Sequence, residues 1–426
     1  MHHFVRTAAD TLESKELGDI RWLEYGLRES SQKMCCEVLR WLIELPGLQI
    51  PGDATKVGER RIANQPRQVH TLFGPIEVRR NYYYCAADGH GRFPMDNALG
   101  LIDGYTPAVA CLIGRCAAEH PFHQAETSFH AYTGLKVDAR QFPRMADYLG
   151  PLAERFLRTE LPSEEKRPPR VYVATDGTGA PLRKKELLGR KGRQPDGTAK
   201  THEIKVAALF TQHPVAGQKP WRDLDSTTYV ATTERSKAFG EMVRAEFIRR
   251  FPSPPQQVVY LGDGAAWNWE LQRVFFPRSI GIVDFYHAAE HVGEVVDLVE
   301  DRHSPTGAKR RKRWVKLLFR GRLDTFLKEA RTALPAPDSE KAKKALKYFE
   351  KNRKRMQYGA FRERGIFIGS GVVEAACKTI VAQRFKASGM HWSQHGLSNI
   401  LPLRTAILSR RYEEFSCTLT SLPKAA

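Results

Sequence analysis

The sequence contains no uninterrupted apolar stretch of the roughly 18 residues that a membrane-spanning helix needs. Its first residues, Met1-His2-His3-Phe4-Val5-Arg6, lack the charged-then-apolar pattern of an export signal. Cysteine is scarce, and the seven residues are an odd count without regular spacing, which is typical of reduced thiols rather than of a disulfide framework. We therefore expect a cytoplasmic protein with no membrane partner.

Acidic residues are outnumbered by basic ones, with 48 Asp and Glu against 67 Lys and Arg and a net charge of +19. Such an excess lowers the stability of the compact state through self-repulsion unless a polyanion is a normal partner. A cationic surface can serve solubility alone, but here the charge is clustered, which favours a nucleic acid. We expect DNA contacts from Arg183, Lys184, Lys185, Arg190, Lys191 and Arg193, and from Arg310, Arg311, Lys312 and Arg313.

A chain of 426 residues exceeds one ordinary core, so several segments are expected. Apolar periodicity predicts a helix over Ser14–Leu45, a hairpin over Gln68–Tyr84 that turns at Gly74-Pro75, and further helices before a linker at Pro162–Arg170. Strands alternating with helices follow, which predicts an α/β fold. We place the segment limits at 1–50, 51–165, 166–299, 300–365 and 366–426, the fourth being a basic, helical stretch.

Three aspartates, Asp176, Asp263 and Asp284, follow apolar strands directly. Sites in open α/β sheets form outside the carboxyl ends of the strands, so these side chains are expected to meet although they are distant in sequence. For each aspartate taken singly, the alternative is a cap on the next helix or turn. Three such strand ends in one basic domain favour a site.

Glu374 completes a candidate acidic set. At helical spacing Val373, Cys377, Ile380 and Val381 form a buried face, and Glu374 lies at the edge of it. The alternative is a surface ion pair with Lys378, one turn further on. Carboxylates are the ligands that Mg²⁺ prefers, and two such ions can assist the in-line displacement at a phosphodiester.

Four blocks of the chain resemble the conserved blocks of the Kra-type insertion-sequence transposases, and they occur in the same order. They are Ala174-Thr175-Asp176-Gly177-Thr178-Gly179, Leu261-Gly262-Asp263-Gly264-Ala265-Ala266-Trp267, Val283-Asp284-Phe285-Tyr286-His287-Ala288-Ala289-Glu290-His291 and Gly369-Ser370-Gly371-Val372-Val373-Glu374-Ala375. This family is similar to the Mutator-like branch of the DDE transposases. The resemblance covers nearly the whole chain.

The resemblance implies a ribonuclease-H-like catalytic core with an α-helical insertion at 300–365 and an N-terminal helical and β-hairpin DNA-binding region. It implies that Asp176, Asp263 and Glu374 are catalytic and hold Mg²⁺ or Mn²⁺, as two ions, and that Asp284 and His287 support the site. The expected reaction is cleavage of transposon ends followed by strand transfer to target DNA, with a homo-oligomer assembled on DNA.

The chain also departs from the family pattern. Relatives carry a zinc ribbon built from Cys pairs near the hairpin, whereas here only Cys85 follows the tyrosines and Asp88 stands where a second Cys is expected. We therefore expect no zinc in this degenerate ribbon. A helix-turn-helix-like segment is expected at Gln124–Leu149, although Pro143 conflicts with a recognition helix that starts at Asp138.

Two other functions fit parts of the sequence. A catalytically decayed transposase that only binds DNA would explain the charge and the missing Cys ligands. A zinc peptidase would explain the H-x-x-E-H pattern of His287 to His291, with Glu374 as a third ligand. The peptidase leaves Asp176, Asp263 and the basic excess unexplained.

Overall fold

A computed structural model describes residues 20–87, 89–159, 168–187, 200–213 and 221–419. The chain forms two compact units, one made of Met1–Leu149 with Tyr412–Ala426 and the other of Gly150–Arg411. Most of the predicted linker lies outside the described residues, and so does Asp88. The five segment limits given above stay predictions.

In the first unit a long helix, α1 (Ile20–Ile43), lies against a three-stranded antiparallel sheet. The strands are β1 (Glu59–Thr71), β2 (Gly74–Cys85) and β3 (Gly91–Arg92), in that order. One face of α1, the inner face of the hairpin and Met95, which follows β3, supply the apolar core. Its members are Cys36, Leu39, Ile43, Val69, Ile76, Val78 and Met95.

The turn predicted at Gly74-Pro75 lies elsewhere in the structure, at Leu72-Phe73. Thr71 pairs with Gly74, and its hydroxyl donates to the Gly74 carbonyl oxygen at 2.7 Å and accepts from the Phe73 N–H at 3.2 Å. The threonine side chain therefore stabilises a turn that lies two residues before the predicted Gly-Pro turn.

Polar contacts fasten the loop before the hairpin to its strands. The Asp53 carboxylate accepts hydrogen bonds from the Asn81 side-chain amide and the Tyr83 hydroxyl, and Arg92 forms an ion pair with Glu59 at 2.7 Å. Cys85 is a free, half-buried thiol in this region.

Helices complete the first unit. They are α2 (Pro94–Ala98), α3 (Pro107–Glu119), α4 (Phe122–Thr133), the part of α5 (Gln141–Thr159) up to Leu149, and a C-terminal helix, Tyr412–Thr418. Because α5 begins at Gln141, Pro143 lies within its first turn, where the missing N–H has no intrahelical acceptor to lose. Pro143 therefore does not conflict with this helix, which starts later than the Asp138 start considered for a recognition helix.

The second unit is built on a mixed sheet. Its strands are β4 (Arg170–Pro181), β5 (Thr201–His213), β6 (Trp221–Arg222), β7 (Thr228–Thr232), β8 (Gln257–Gly262) and β9 (Ile280–Val283). The order is β6-β5-β4-β8-β9, with β7 also pairing with β5. β5 is antiparallel to both β4 and β7, whereas β4, β8 and β9 run parallel.

The helices α6 (Ser236–Arg250), α7 (Ala266–Phe275) and α8 (Phe285–Asp297) alternate with these strands, so the α/β class is as predicted. The central strands β4 and β8 contain continuous buried runs, as parallel strands covered on both faces do. The prediction that the first strand ends at Thr175 was wrong. Because β5 offers hydrogen bonds along its whole length, β4 continues past Asp176 to Pro181.

A helical stretch follows the sheet, as the sequence predicted. It contains α9 (Pro305–Phe319), α10 (Leu323–Ala333), α11 (Glu340–Lys351) and α12 (Tyr358–Glu363). Its core is aromatic: Trp314 and Phe349 both meet Phe326 edge to face, at ring-centroid distances of 5.5 and 4.9 Å.

The last part of the unit contains three consecutive helical segments, which we call the Glu374 helix. They are α13 (Gly371–Ala376), a π-helical segment (Cys377–Ala382) and α14 (Gln383–Phe385), and α15 (Gln394–Leu408) follows. The buried Arg404 guanidinium donates through Nε to the carbonyl oxygens of Thr379 and Ile380, at 3.0 and 2.7 Å. It thereby satisfies acceptors in the π-helical segment, where the regular ladder is broken.

None of the helices in the described ranges is both long enough and apolar enough to cross a membrane.

Candidate active site

Asp176 and Asp263 come to the same level of the sheet from neighbouring strands. The last parallel pair between β4 and β8 is Ala174 with Leu261, so two further residues on each strand bring Asp176 level with Asp263. Both side chains are half-buried. The two aspartates are thus level on neighbouring segments, but only β8 ends at this point, because β4 continues past Asp176.

The Asp176 carboxylate lies in an environment that disfavours its charge. Burial raises the pKa of Asp176, and the nearby Asp263 carboxylate raises it further. Hydrogen bonds from the Gly177 N–H at 2.7 Å and from the Cys377 thiol, and the nearby His287, act in the opposite direction. Burial is the largest effect, so the pKa of the Asp176 carboxyl is raised despite these hydrogen bonds.

A buried polar network joins the Asp263 carboxylate to Thr175, the residue before Asp176. The Thr175 hydroxyl donates to Asn268 Oδ1 at 2.7 Å, and the Asn268 side-chain amide donates to Asp263 Oδ1 at 2.6 Å. The hydroxyl of Tyr260, on β8, lies 2.9 Å from that of Thr175. The sequence analysis missed these three residues. Asn268 could have been found, because a polar residue on the apolar stripe of a helix five positions after Asp263 requires a partner.

Asp263 also shapes the turn that follows β8. Its Oδ1 accepts from the Ala265 N–H at 2.9 Å. Asp263 therefore also caps the turn before α7, which was the alternative role considered for each aspartate. Gly264 has a φ of +98°, and a Cβ at that position would stand 2.8 Å from the Tyr348 hydroxyl. Tyr348 belongs to α11 and donates weakly to the Asp263 carbonyl oxygen at 3.4 Å, so the glycine lets the helical stretch approach the aspartate.

The Glu374 helix packs on β4 and β5 and touches Asp176 through Cys377, whose Sγ lies 3.5 Å from Asp176 Oδ2. Val373, Cys377, Ile380 and Val381 form the predicted buried face. Glu374 lies one helical turn before Cys377. Its carboxylate forms an ion pair with Lys378 Nζ at 2.8 Å and its side chain is 58% exposed. The ion-pair alternative for Glu374 is therefore the one seen in this structure.

Asp284 is a buried clamp at the start of α8. Its carboxylate accepts from the His287 N–H at 2.7 Å, as a helix N-cap, and also from the Ser370 N–H. Ser370 directly precedes the Glu374 helix, so Asp284 ties the end of β9 to the start of that helix. His287 lies close enough to Asp176 to lower its pKa, and its Nδ1 is 3.7 Å from Glu290.

The two histidines of the H-x-x-E-H pattern lie close together on α8, with ring centroids 5.3 Å apart. His291 hydrogen-bonds through Nδ1 to Glu294 at 2.7 Å, and its ring lies on that of Tyr348 with centroids 3.9 Å apart. These contacts hold His291 toward the helical stretch.

Across the residues that the structure describes, no three or more His, Cys, Asp or Glu side chains are arranged so that they could hold one metal ion as they stand. Asp176 and Asp263 nevertheless fit a divalent cation, because two half-buried carboxylates repel each other and burial disfavours the charge of the first. Glu374 would fit only after leaving Lys378.

The first basic cluster partly falls in the described chain. Arg183, Lys184 and Lys185 are exposed at a short 3₁₀ turn, Lys184–Leu187, that follows β4. Arg190, Lys191 and Arg193 lie outside the described residues.

The second basic cluster lies on α9 and is mostly engaged within the protein. Arg310 pairs with Glu300, and Arg313 binds both carboxylate oxygens of Glu329 at 2.8 and 2.5 Å. Arg311 is half-buried, and Lys312 is exposed. Of this cluster, Lys312 is the cation that is presented most openly to a partner.

Compared with known proteins, the chain matches no protein-family model, and no curated protein matches it.

Proposed function

We propose that this protein is a DDE transposase of an insertion sequence, with a ribonuclease-H-like core into which the helical stretch 300–365 is inserted. In the proposed reaction, transposon ends are cut and the freed 3′-hydroxyl attacks a phosphodiester of target DNA. The four sequence blocks first suggest this function, and the arrangement of their acidic residues carries it further.

The strand order supports the proposed core. In the proposed core, the strand that carries the first catalytic acid has antiparallel neighbours on one side and parallel neighbours on the other. Here β7, β5 and β4 are antiparallel and β4, β8 and β9 parallel, and Asp176 lies on β4. The helical stretch enters between β9 and the Glu374 helix.

The single observation that carries the proposal is the convergence of two acidic residues with the helix that bears the third. Asp176 on β4 lies level with Asp263, which directly follows the adjacent strand β8, and Cys377 joins the Glu374 helix to Asp176. Residues from three distant blocks thus meet beside the carboxyl end of the parallel strand β8, where sites in such folds form.

In the proposed site Asp176 and Asp263 hold a divalent cation, Mg²⁺ or Mn²⁺, and Glu374 joins them from the helix. Such an ion supplies Lewis-acid stabilisation of the charge on a reacting phosphate. Exposed ion pairs contribute about 0–1 kcal/mol, so the release of Glu374 from Lys378 costs little. Asn268 orients Asp263, and Asp284 fixes the start of the Glu374 helix.

DNA is the proposed partner because of the net charge of +19 and the exposed cations Arg183, Lys184, Lys185 and Lys312. Arg310 and Arg313, which already have carboxylate partners, are expected to contribute less than the sequence suggested. A homo-oligomer on DNA is proposed from the family resemblance alone.

A second function, DNA binding without catalysis, is favoured by one observation. Glu374 is exposed and paired with Lys378 instead of pointing with Asp176 and Asp263 at a common point. A decayed transposase would keep the fold and the basic surface but not the assembled acidic set.

A cleavage assay separates these two functions. The substrate is a supercoiled plasmid that carries this coding sequence with its flanking DNA, and wild type is compared with Asp263→Asn. Asp338→Asn serves as the matched control, because Asp338 is 96% exposed. We expect Mg²⁺- or Mn²⁺-dependent nicking and strand transfer in wild type and in the control, and a loss of at least about 100-fold in Asp263→Asn. DNA binding without cleavage in all three proteins would instead support the second function.

A further inference from the structure

A groove of about 580 Å³ lies beside Asp284 and the start of the Glu374 helix in the second unit. Its volume is in the range of roughly 300–1,000 Å³ that is usual for small-molecule sites. We call it the aromatic groove and define it by its lining residues. These are Phe210, Arg222, Phe285, Tyr286, Phe319, Arg362, Gly365, Ile366, Phe367, Ile368, Gly369, Gly371 and Val372.

Aromatic rings are unusually accessible in this groove. Tyr286, the second residue of α8, is 67% exposed although it follows the buried Phe285. A Cβ at Gly369 would stand 3.1 Å from the Tyr286 ring, so the glycine lets that ring lie close against the chain. Phe319 and Phe367 are half-buried and contribute further ring surface. An exposed tyrosine beside half-buried rings provides a surface on which a planar group can stack.

The charged residues that line the aromatic groove are both basic. Its lining contains Arg222 and Arg362, and no Asp or Glu from the described ranges lines it. Arg362 lies over the Phe319 ring, 3.7 Å from the centroid, and neither arginine forms an ion pair with any described carboxylate. Two arginines that have no acidic partner among the described residues, beside one exposed and two half-buried rings, suit a ligand that is both planar and anionic.

The groove adjoins the residues that carry the proposed chemistry. The Phe285 N–H donates to the Ile368 carbonyl oxygen at 2.9 Å, and a Cβ at Gly369 would stand 3.8 Å from Asp284 Oδ2. Val372 lines the groove and lies two residues before Glu374. The groove therefore adjoins Asp284 and the start of the Glu374 helix.

We propose that the aromatic groove binds one unpaired nucleotide of the DNA strand that is processed, with its base on the aromatic rings and its phosphate beside Arg222 and Arg362. This inference rests on the proposed function, because it takes DNA as the ligand. Stacking on aromatic rings tolerates every base, so the groove selects for an unpaired nucleotide rather than for a sequence.

The test measures binding without catalysis, in EDTA and at one fixed salt concentration, since salt alone changes DNA affinity. One probe is a blunt duplex and the other is the same duplex with one unpaired 2-aminopurine nucleotide at a 3′ end. Variants are Tyr286→Ala, Tyr286→Phe and Arg362→Gln. Arg364→Gln is the matched control, because Arg364 is exposed nearby but does not line the groove.

We expect wild type to bind the overhang probe more tightly than the blunt duplex and to quench its 2-aminopurine fluorescence. Tyr286→Ala should weaken overhang binding by roughly 5- to 150-fold, while Tyr286→Phe keeps it. Arg362→Gln should weaken it and Arg364→Gln should not.

Equal affinity for the two probes, or an unchanged preference in Tyr286→Ala, would overturn the groove assignment while leaving the proposed function intact. A free deoxynucleotide monophosphate that binds as tightly as the overhang probe would overturn the assignment to a DNA strand. Absence of DNA binding by wild type would instead contradict the proposed function itself.

Discussion

Replacing Asp284 should destabilise the packing of the Glu374 helix against the end of β9. The carboxylate is 4% exposed and accepts one N–H at the start of α8 and another from Ser370. Loss of a helix N-cap costs about 1 kcal/mol, and loss of a hydrogen bond to a charged group about 1.5–3 kcal/mol. Asp284→Ala should therefore lower the free energy of unfolding of the second unit by roughly 2–4 kcal/mol, or its Tm by roughly 5–15 °C.

Asp284→Asn refines this prediction. The amide keeps one oxygen acceptor, so it can serve one of the two N–H donors, and about half of the loss should remain. The assay is urea denaturation followed by tryptophan fluorescence, with Asp338→Asn as a control that should stay within about 0.5 kcal/mol of wild type. An Asp284→Ala variant as stable as that control would show that the clamp does not join these elements.

Three further changes test other parts of the site. Lys378→Gln removes the ion-pair partner of Glu374 and should lower the Mg²⁺ concentration needed for half-maximal activity by up to about fivefold. An unchanged Mg²⁺ requirement in Lys378→Gln, together with full activity of Glu374→Gln, would exclude Glu374 as a ligand. Because folding raises the pKa of Asp176, the stability of the metal-free protein should fall as the pH rises through that pKa. Asp176→Asn should therefore have a higher Tm than the metal-free wild type at pH 7 but not at about pH 3. A lower Tm of the variant at pH 7 would contradict this. Arg404→Met leaves carbonyl groups of the π-helical segment without donors and should cost about 2–4 kcal/mol in chemical denaturation; an unchanged midpoint would refute that role.

The periodicity of apolar residues in the sequence predicted which face of a helix is buried and which segments form strands. The apolar spacing around Glu374 identified the face that carries Val373 and Cys377, and the apolar runs before Asp176 and Asp263 identified two strands that are neighbours in the sheet. The overrun of β4 past Asp176 could not be predicted in this way, because it depends on β5, a partner that is remote in sequence.

The same limit applies to the side chains around the acids. Whether Glu374 points to the aspartates or to Lys378 depends on a balance of about 1 kcal/mol, which residue spacing does not decide. The Thr175 and Asn268 network joins a strand residue to a helix residue 93 positions later, and its pairing is a property of the folded packing. The two open arginines of the aromatic groove likewise come from segments far apart in sequence.

The central claim is that Asp176 and Asp263 hold a divalent ion together. Mn²⁺ binding measured by electron paramagnetic resonance tests it without any DNA substrate. We expect wild type and Asp338→Asn to bind Mn²⁺, and Asp176→Asn and Asp263→Asn each to weaken that binding by at least about tenfold, a difference of about 1.4 kcal/mol. Mn²⁺ binding that is absent in wild type, or equal in all four proteins, would contradict the claim.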